Sequence, residues 1–98
     1  MNFGLPEKVI QRIIRELAKR ENVIRAVIFG SRARGDYRCN SDIDLAVYCE
    51  GELPPELLLD LDEVIGIYKI DIIDMSGPLD EKLRQKIELQ GVEVYCRS

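Results

Sequence analysis

The stretch FGSRARGDYRCNSDIDLAVY, residues 29–48, decides the fold of this chain. It begins at the end of an apolar, β-branched run, residues 23–29, which stops at the dipeptide Gly30-Ser31. After a polar spacer of ten residues, an alternating segment starts at Asp42. The apolar run and the alternating segment predict two strands that are joined by a polar loop.

Two aspartates open the second predicted strand. Asp42 and Asp44 are two residues apart, so their carboxylates point to the same face, with Cα atoms about 6–7 Å apart. Like charges this close repel each other unless a cation lies between them. Carboxylate oxygens suit magnesium or manganese, and two such ions can stabilise the attacking and leaving oxygens of a phosphoryl displacement. Taken alone, the pair also fits two solvated acids at the start of a strand.

The dipeptide Gly30-Ser31 is the second candidate element. Glycine lets the backbone approach an anion closely, and Ser31 supplies a hydroxyl donor. A helical turn near residues 31–34 would direct free N–H groups at a phosphate. An ordinary turn explains the dipeptide equally well when it is considered by itself.

A third acid, Asp71, lies inside a mostly apolar segment, residues 68–75. Aspartate is depleted in strands, and burying an unpaired carboxylate is costly, so we expect a shared metal ion or a salt bridge. Asp74 is the competing acid. Strand alternation places it on the opposite face from Asp71, near the turn that starts at Ser76, where a turn or cap role is expected.

The remaining pattern predicts a small domain of mixed α and β structure, in the α/β (α+β) class. Apolar residues at helical spacing predict amphipathic helices, and alternating or β-branched runs predict strands. The resulting order α-β-β-α-β-α-β indicates a small mixed β-sheet with its helices packed on one face, which leaves the acid-bearing face open to substrate. The predicted elements are helices over residues 6–20, 53–65 and 79–90 and strands over residues 23–29, 42–49, 68–75 and 92–96.

Composition limits the classes of function. The 98 residues, 1–98, are expected to form one domain. The absence of histidine excludes His-ligated zinc and a Ser-His-Asp triad. A net charge of −4 argues against direct nucleic-acid binding, although Arg32, Arg34 and Arg38 form a local basic cluster. With three widely spaced cysteines, no signal peptide and no membrane-length apolar run, we expect a cytoplasmic protein with free thiols.

The joined pattern resembles the nucleotidyltransferase superfamily that includes DNA polymerase beta. That superfamily is marked by a strand, Gly-Ser, a spacer, Asp-x-Asp on the next strand and a third acid on a later strand. The wording GSRARG and SDIDL and the short length are similar to the minimal nucleotidyltransferases, the MNT proteins that pair with HEPN toxins. The resemblance covers nearly the whole chain and implies the polymerase beta-like fold.

The resemblance implies roles for the three acids. Asp42 and Asp44 would ligate two magnesium ions, for which manganese could substitute. Asp71 would ligate the catalytic metal and help to deprotonate or orient the attacking hydroxyl.

It also implies a nucleotide-binding role for the loop. Gly30 and Ser31 would hold the β- and γ-phosphates of ATP, and Arg32 or Arg34 would add a phosphate contact, with a surface or partner contact as the alternative for each. Tyr37 and Arg38 lie in the same loop, where an ordinary surface role is favoured over contact with the base or a partner.

The activity implied by the resemblance is a magnesium-dependent transfer of AMP from ATP to a tyrosine of a cognate HEPN toxin, which would make the protein an antitoxin. Two alternatives stay open: a non-catalytic nucleotide- or metal-binding antitoxin that occludes its partner, and a small-molecule nucleotidyltransferase. The intact acids favour the enzyme over the first, and the short length disfavours the second. Larger relatives carry a second domain, so acceptor specificity is expected to come from a partner protein or a second copy of this chain.

Overall fold

The computed structural model describes residues 3–97. Over this range the elements follow the predicted order, with the helical turn after Gly30 as an additional short helix. α3 begins four residues later than predicted, because a residue that precedes proline is disfavoured in the helical conformation and Pro54-Pro55 extend that restriction. The elements are α1 Glu7–Ala18, β1 Val23–Phe29, α2 Ser31–Arg34, β2 Ile43–Cys49, α3 Leu57–Ile65, β3 Ile70–Asp74, α4 Glu81–Gln90 and β4 Val92–Cys96.

The four strands form one mixed sheet in the order β3-β2-β1-β4. β1 pairs antiparallel with both β2 and β4, whereas β2 pairs parallel with β3. The parallel pair is connected through α3, as such pairs require a crossover. The predicted fold class, a small mixed sheet with helices in the polymerase beta-like arrangement, is confirmed.

α1 and α3 cover one face of the sheet. Alternation on β2 directs Leu45 and Val47 to this face, and both side chains are fully buried. Leu17 of α1 and Leu61 of α3 are also fully buried in the same apolar cluster. Burial of one such side chain is worth about 1.5–3 kcal/mol, so this layer supplies most of the stabilisation of the sheet.

α4 lies on the other face, which corrects the prediction that all helices pack on one side. Its Ile87 is fully buried in a second cluster with Val27 and Phe29 of β1 and Ala46 of β2. The physical reason lies in β1, which is apolar at successive positions from 26 to 29 and therefore presents apolar side chains to both faces. Without α4, Val27 and Phe29 would be exposed to solvent.

Both ends of α4 are fixed. At its start, the carboxylate of Asp80 accepts a hydrogen bond from the backbone N–H of Leu83 at 3.3 Å, as a helix N-cap does. At its end, Gly91 has an ordinary φ of −68° but no room for a side chain. A Cβ there would lie 2.2 Å from Cγ1 of Val27 and 2.5 Å from the carbonyl oxygen of Ile87. The helix is therefore seated closely against β1.

The structure also bears on thiols and membranes. Cys39, Cys49 and Cys96 are free, as predicted, and only Cys49 is buried. Burial raises the pKa of the Cys49 thiol, and the nearby charge of Asp74 adds to the effect. Among the helices of residues 3–97, none has both the length and the apolarity that crossing a membrane would require.

Gly91→Ala should lower the free energy of unfolding by about 1–3 kcal/mol, because the added methyl group would overlap Val27 and the Ile87 carbonyl. Gly77→Ala is the matched control, since a Cβ at that position meets only Asp74 Oδ2 at an ordinary 3.5 Å. Urea denaturation of both variants measures the difference. Equal stability of the two variants would show that α4 is not seated against β1 in this way.

Candidate active site

The site lies at the end of the sheet where β1 finishes and β2 and β3 begin. In the antiparallel pair of β1 and β2, Phe29 is the partner of Asp44. In the parallel pair of β2 and β3, Asp44 is the partner of Asp71. The register thus brings the turn after β1 and the acids of two neighbouring strands to the same place.

At Gly30 the backbone passes close to the carboxylate of Asp44. Its φ of 74° and ψ of −152° turn the chain from β1 into α2. Residues that carry a side chain rarely adopt this backbone conformation. A Cβ on this residue would lie 2.4 Å from Oδ2 of Asp44. Glycine is therefore required here for two reasons, its backbone conformation and its contact with a carboxylate.

Asp44 carries the electrostatic strain of the site. Burial raises the pKa of its carboxyl group, and the negative charges of Asp71 and Asp42 raise it further, while Lys86 and Arg34 act in the opposite direction. A carboxyl group whose pKa is raised by folding makes the fold less stable at any pH above its ordinary pKa. A bound cation would remove this penalty.

The three carboxylates are the kind of ligand that a divalent cation prefers, but only two of them line the same pocket. Asp44 and Asp71 supply hard carboxylate oxygens at matching positions of paired strands, and neither forms a salt bridge within residues 3–97. No group of three or more histidine, cysteine or acidic side chains in the described range is placed to hold a metal ion as it stands. Asp42 is exposed and lines a separate pocket with Ser41 and Lys69. The expected convergence therefore holds for Asp44 and Asp71 but not for the side chain of Asp42.

An open pocket of about 560 Å³ lies above the two acids. The residues that line it come from β2 and β3, which carry the two acids, from the turn after β1 with α2, and from α4. Carboxylates, a hydroxyl group and cationic side chains therefore share one space. The polar residues that line it are Gly30, Ser31, Arg34, Asp44, Asp71 and Lys86.

Arg32 is not part of this pocket, which corrects its predicted phosphate contact. The side chain is only 1% exposed. Its Nη1 donates to the carbonyl of Phe3 at 2.9 Å, and its Nε and Nη2 donate to the carbonyl of Ser41 at 3.2 and 2.9 Å. The guanidinium also lies 5.4 Å from the ring centroid of Tyr37 and 5.5 Å from that of Tyr68. Arg32 therefore anchors the loop that leads to the acids.

Arg34 lines the pocket, and its phosphate contact stays a prediction. It is exposed, lies 3.4 Å from a carboxylate oxygen of Asp36, and its Nη1 donates to Oε1 of Gln90 at 3.3 Å. The second contact joins α2 to the end of α4. Tyr37 and Arg38 lie exposed on the loop, in agreement with the surface role that was favoured for them.

The structure separates Asp71 from Asp74 in the way strand alternation predicts. Asp71 lines the pocket with Asp44. Asp74 pairs instead with Val47, and its Oδ1 accepts a hydrogen bond from the backbone N–H of Ser76 at 2.9 Å. Asp74 is thus a turn acid, and only Asp71 reaches the candidate site.

Lys86 is the pocket residue that sequence reasoning missed. Helical spacing groups it with Leu83, Ile87 and Gln90, so an exposed lysine adjoins the apolar stripe that faces the sheet. That stripe was a usable signal. It became informative only once α4 was known to lie on the acid-bearing face.

Residues 11–98 match the family described as "Polymerase beta, Nucleotidyltransferase". The chain belongs to this family. In this member of the nucleotidyltransferase family, Asp44 lies on β2, Asp71 lies on β3, Asp42 immediately precedes β2, and the Gly-Ser turn follows β1. No curated protein matches the sequence.

Several solved structures share the fold of this nucleotidyltransferase. A crystal structure of a toxin-antitoxin with AMP-PNP has a TM-score of 0.73 at 24% identity, over 91% of this chain and 74% of that chain. The toxin-antitoxin MntA-HepT gives 0.72 at 23% identity, over 94% and 74%. The tri-AMPylated Shewanella oneidensis HEPN toxin in complex with MNT antitoxin gives 0.66 at 20% identity, over 91% and 71%.

Arg32→Met should destabilise the nucleotidyltransferase by several kcal/mol, because two buried carbonyl oxygens would lose their donors at about 1–3 kcal/mol each. Arg34→Met, at an exposed position, should change the stability by less than about 0.5 kcal/mol. Thermal denaturation of both variants tests the assignment. A stable Arg32→Met variant would mean that this side chain does not anchor the loop.

Proposed function

We propose that this protein is a magnesium-dependent adenylyltransferase that moves AMP from ATP to a tyrosine hydroxyl of a cognate HEPN-domain toxin and thereby acts as its antitoxin. One observation carries the proposal. Asp44 and Asp71, on directly paired strands, share a pocket with the turn at Gly30-Ser31. Carboxylates beside a phosphate-binding turn suit a metal-bound nucleoside triphosphate.

Asp44, Asp71 and Asp42 are the residues proposed to hold the magnesium ions. When bound, magnesium stabilises charge on the attacking and leaving oxygens of the displacement. The chain itself then has two tasks: to keep the acids in register on β2 and β3, and to orient the acceptor hydroxyl. Asp71, which is exposed, would accept the proton of that hydroxyl and release it to water.

Gly30, Ser31 and Arg34 are proposed to bind the phosphates. The first N–H groups of a helical turn lack acceptors within the helix, and the Ser31 hydroxyl adds a donor. Arg34 is exposed at the pocket, where a guanidinium can meet a phosphate through two hydrogen bonds. In the transfer, the acceptor oxygen bonds to the α-phosphorus and the bond to the bridging oxygen breaks, so the electron pair leaves with pyrophosphate.

The structural neighbours support the choice of nucleotide and partner. One is described as a toxin-antitoxin with AMP-PNP, and another as a tri-AMPylated HEPN toxin in complex with MNT antitoxin. These descriptions apply to those proteins. Together with the open pocket of this chain, they favour an adenylyl donor and a protein acceptor over a small-molecule one.

The second candidate function is a non-catalytic antitoxin that occludes its partner. The observation that favours it is the position of Asp42, whose side chain lines a different pocket from Asp44 and Asp71. In that case the acids would bind a metal ion or a nucleotide without turnover, and inhibition of the toxin would not require ATP.

Incubation with ATP, magnesium and the HEPN-domain toxin should add AMP to the toxin, visible as a mass gain by mass spectrometry. Asp42→Asn, Asp44→Asn and Asp71→Asn should each lower the rate by orders of magnitude, because each removes a proposed metal ligand. Asp74→Asn is the matched control on the same strand as Asp71, and it should keep most of the activity.

Two results would change the proposal. If Asp74→Asn were inactive and Asp71→Asn active, the third acid would be wrongly assigned. If the wild type inhibited the toxin without modifying it, the occlusion hypothesis would replace the enzyme.

A further inference from the structure

α4 contributes a positive charge to the candidate pocket. Lys86 lines the same space as Gly30, Ser31, Asp44 and Asp71, although it lies on α4 and not on the strands that carry the acids. Its two helical neighbours, Leu83 and Ile87, belong to the apolar cluster under α4. The lysine is exposed and lies beside the helix face that is held against the sheet.

The backbone of Lys86 has little freedom. Ile87, the next residue, is fully buried, and Gly91 lies against Val27 with no space for a side chain. The Asp80 cap fixes the first turn, and the hydrogen bond from Arg34 to Gln90 joins the last turn to α2. Only the four-carbon stem of Lys86 can move, so the ammonium group can sample one side of the pocket.

The side chain of Lys86 is exposed at the pocket, and its charge acts on Asp44. Within residues 3–97 it forms no hydrogen bond or salt bridge. Of the neighbouring cations of the helix, Arg84 donates to the carbonyl of Met75 at 3.4 Å, and Lys82 is exposed like Lys86 but lies outside the pocket.

We propose that Lys86 binds the terminal phosphates of the nucleoside triphosphate, so that α4 forms one wall of the nucleotide site together with the turn at Gly30-Ser31. This inference rests on the proposed function, since it assigns one more residue to the same site. A lysine is a compact charge with three rotatable donors, which suits a group that changes from triphosphate to pyrophosphate.

The position of Lys86 favours the terminal phosphates over the α-phosphate. Asp44 and Asp71, which are proposed to hold the metal ions, lie near the N-terminal ends of β2 and β3. Lys86 and Arg34 line the same pocket from α4 and α2, two helices that are joined through Gln90 and do not carry the acids. Negative charge grows on the leaving pyrophosphate as its bond to the α-phosphorus breaks, so a cation that contacts the terminal phosphates stabilises the transition state more than the bound substrate.

Binding of MgATP, MgADP and AMP to the full chain, measured by isothermal titration calorimetry, tests the inference. Lys86→Met should weaken MgATP binding by about 10-fold or more, a typical size for the loss of a charge-assisted contact, and leave AMP binding unchanged. Lys82→Met is the matched control from the same helix and should bind MgATP as the wild type does. Lys86→Arg should recover much of the loss.

The outcomes separate this inference from the proposed function. If the wild type binds MgATP and Lys86→Met binds it equally well, or loses ATP and AMP alike, the assignment of Lys86 is wrong and the acids are unaffected. If the wild type binds none of the nucleotides, both proposals fail. With the toxin as acceptor, Lys86→Met should also lower kcat for AMP transfer, and a change confined to KM would contradict a contact that strengthens as pyrophosphate leaves.

Discussion

The site depends on one unfavourable contact, the pairing of Asp44 with Asp71 across the parallel strands β2 and β3. Burial raises the pKa of the Asp44 carboxyl group, and the negative charge of Asp71 raises it further. Beneath them, Ile43, Leu45 and Ile70 are buried, and each such side chain stabilises the fold by about 1.5–3 kcal/mol. The apolar layer therefore holds the two acids in a position that they would not adopt by themselves, and leaves a place for a cation.

Positive charge near these acids has two different uses. Arg32 is buried and binds the backbone of Phe3 and Ser41, so it fixes the loop between β1 and β2. Arg34, only two residues later, remains exposed at the pocket. The loop thus combines an anchor with a candidate phosphate contact. α4 completes the arrangement, because the apolar side chains on the second face of β1 draw it onto the acid-bearing side of the sheet.

Local pattern was sufficient for the strands, for the Gly-Ser turn and for the placement of Asp71 and Asp74 on opposite faces of β3, because strand alternation fixes which side chains share a face. It was not sufficient for α4, since helical spacing identifies an apolar stripe but not the sheet face that the stripe covers. Arg32 was misjudged for a related reason. Its partners are distant in the sequence: the carbonyl of Phe3 lies 29 residues before it, and the ring of Tyr68 comes after both β2 and α3. Lys86 became recognisable only from its position in the fold.

The central claim is that Asp44 and Asp71 act together on one cation. A double-mutant cycle on Mn²⁺ affinity in the presence of AMP-PNP, followed by electron paramagnetic resonance, tests it most directly. The account predicts that Asp44→Asn and Asp71→Asn each remove most of the affinity and that the double variant is little worse than either, because the first substitution already destroys the shared site. Losses that simply add, or single variants that bind Mn²⁺ as the wild type does, would contradict it.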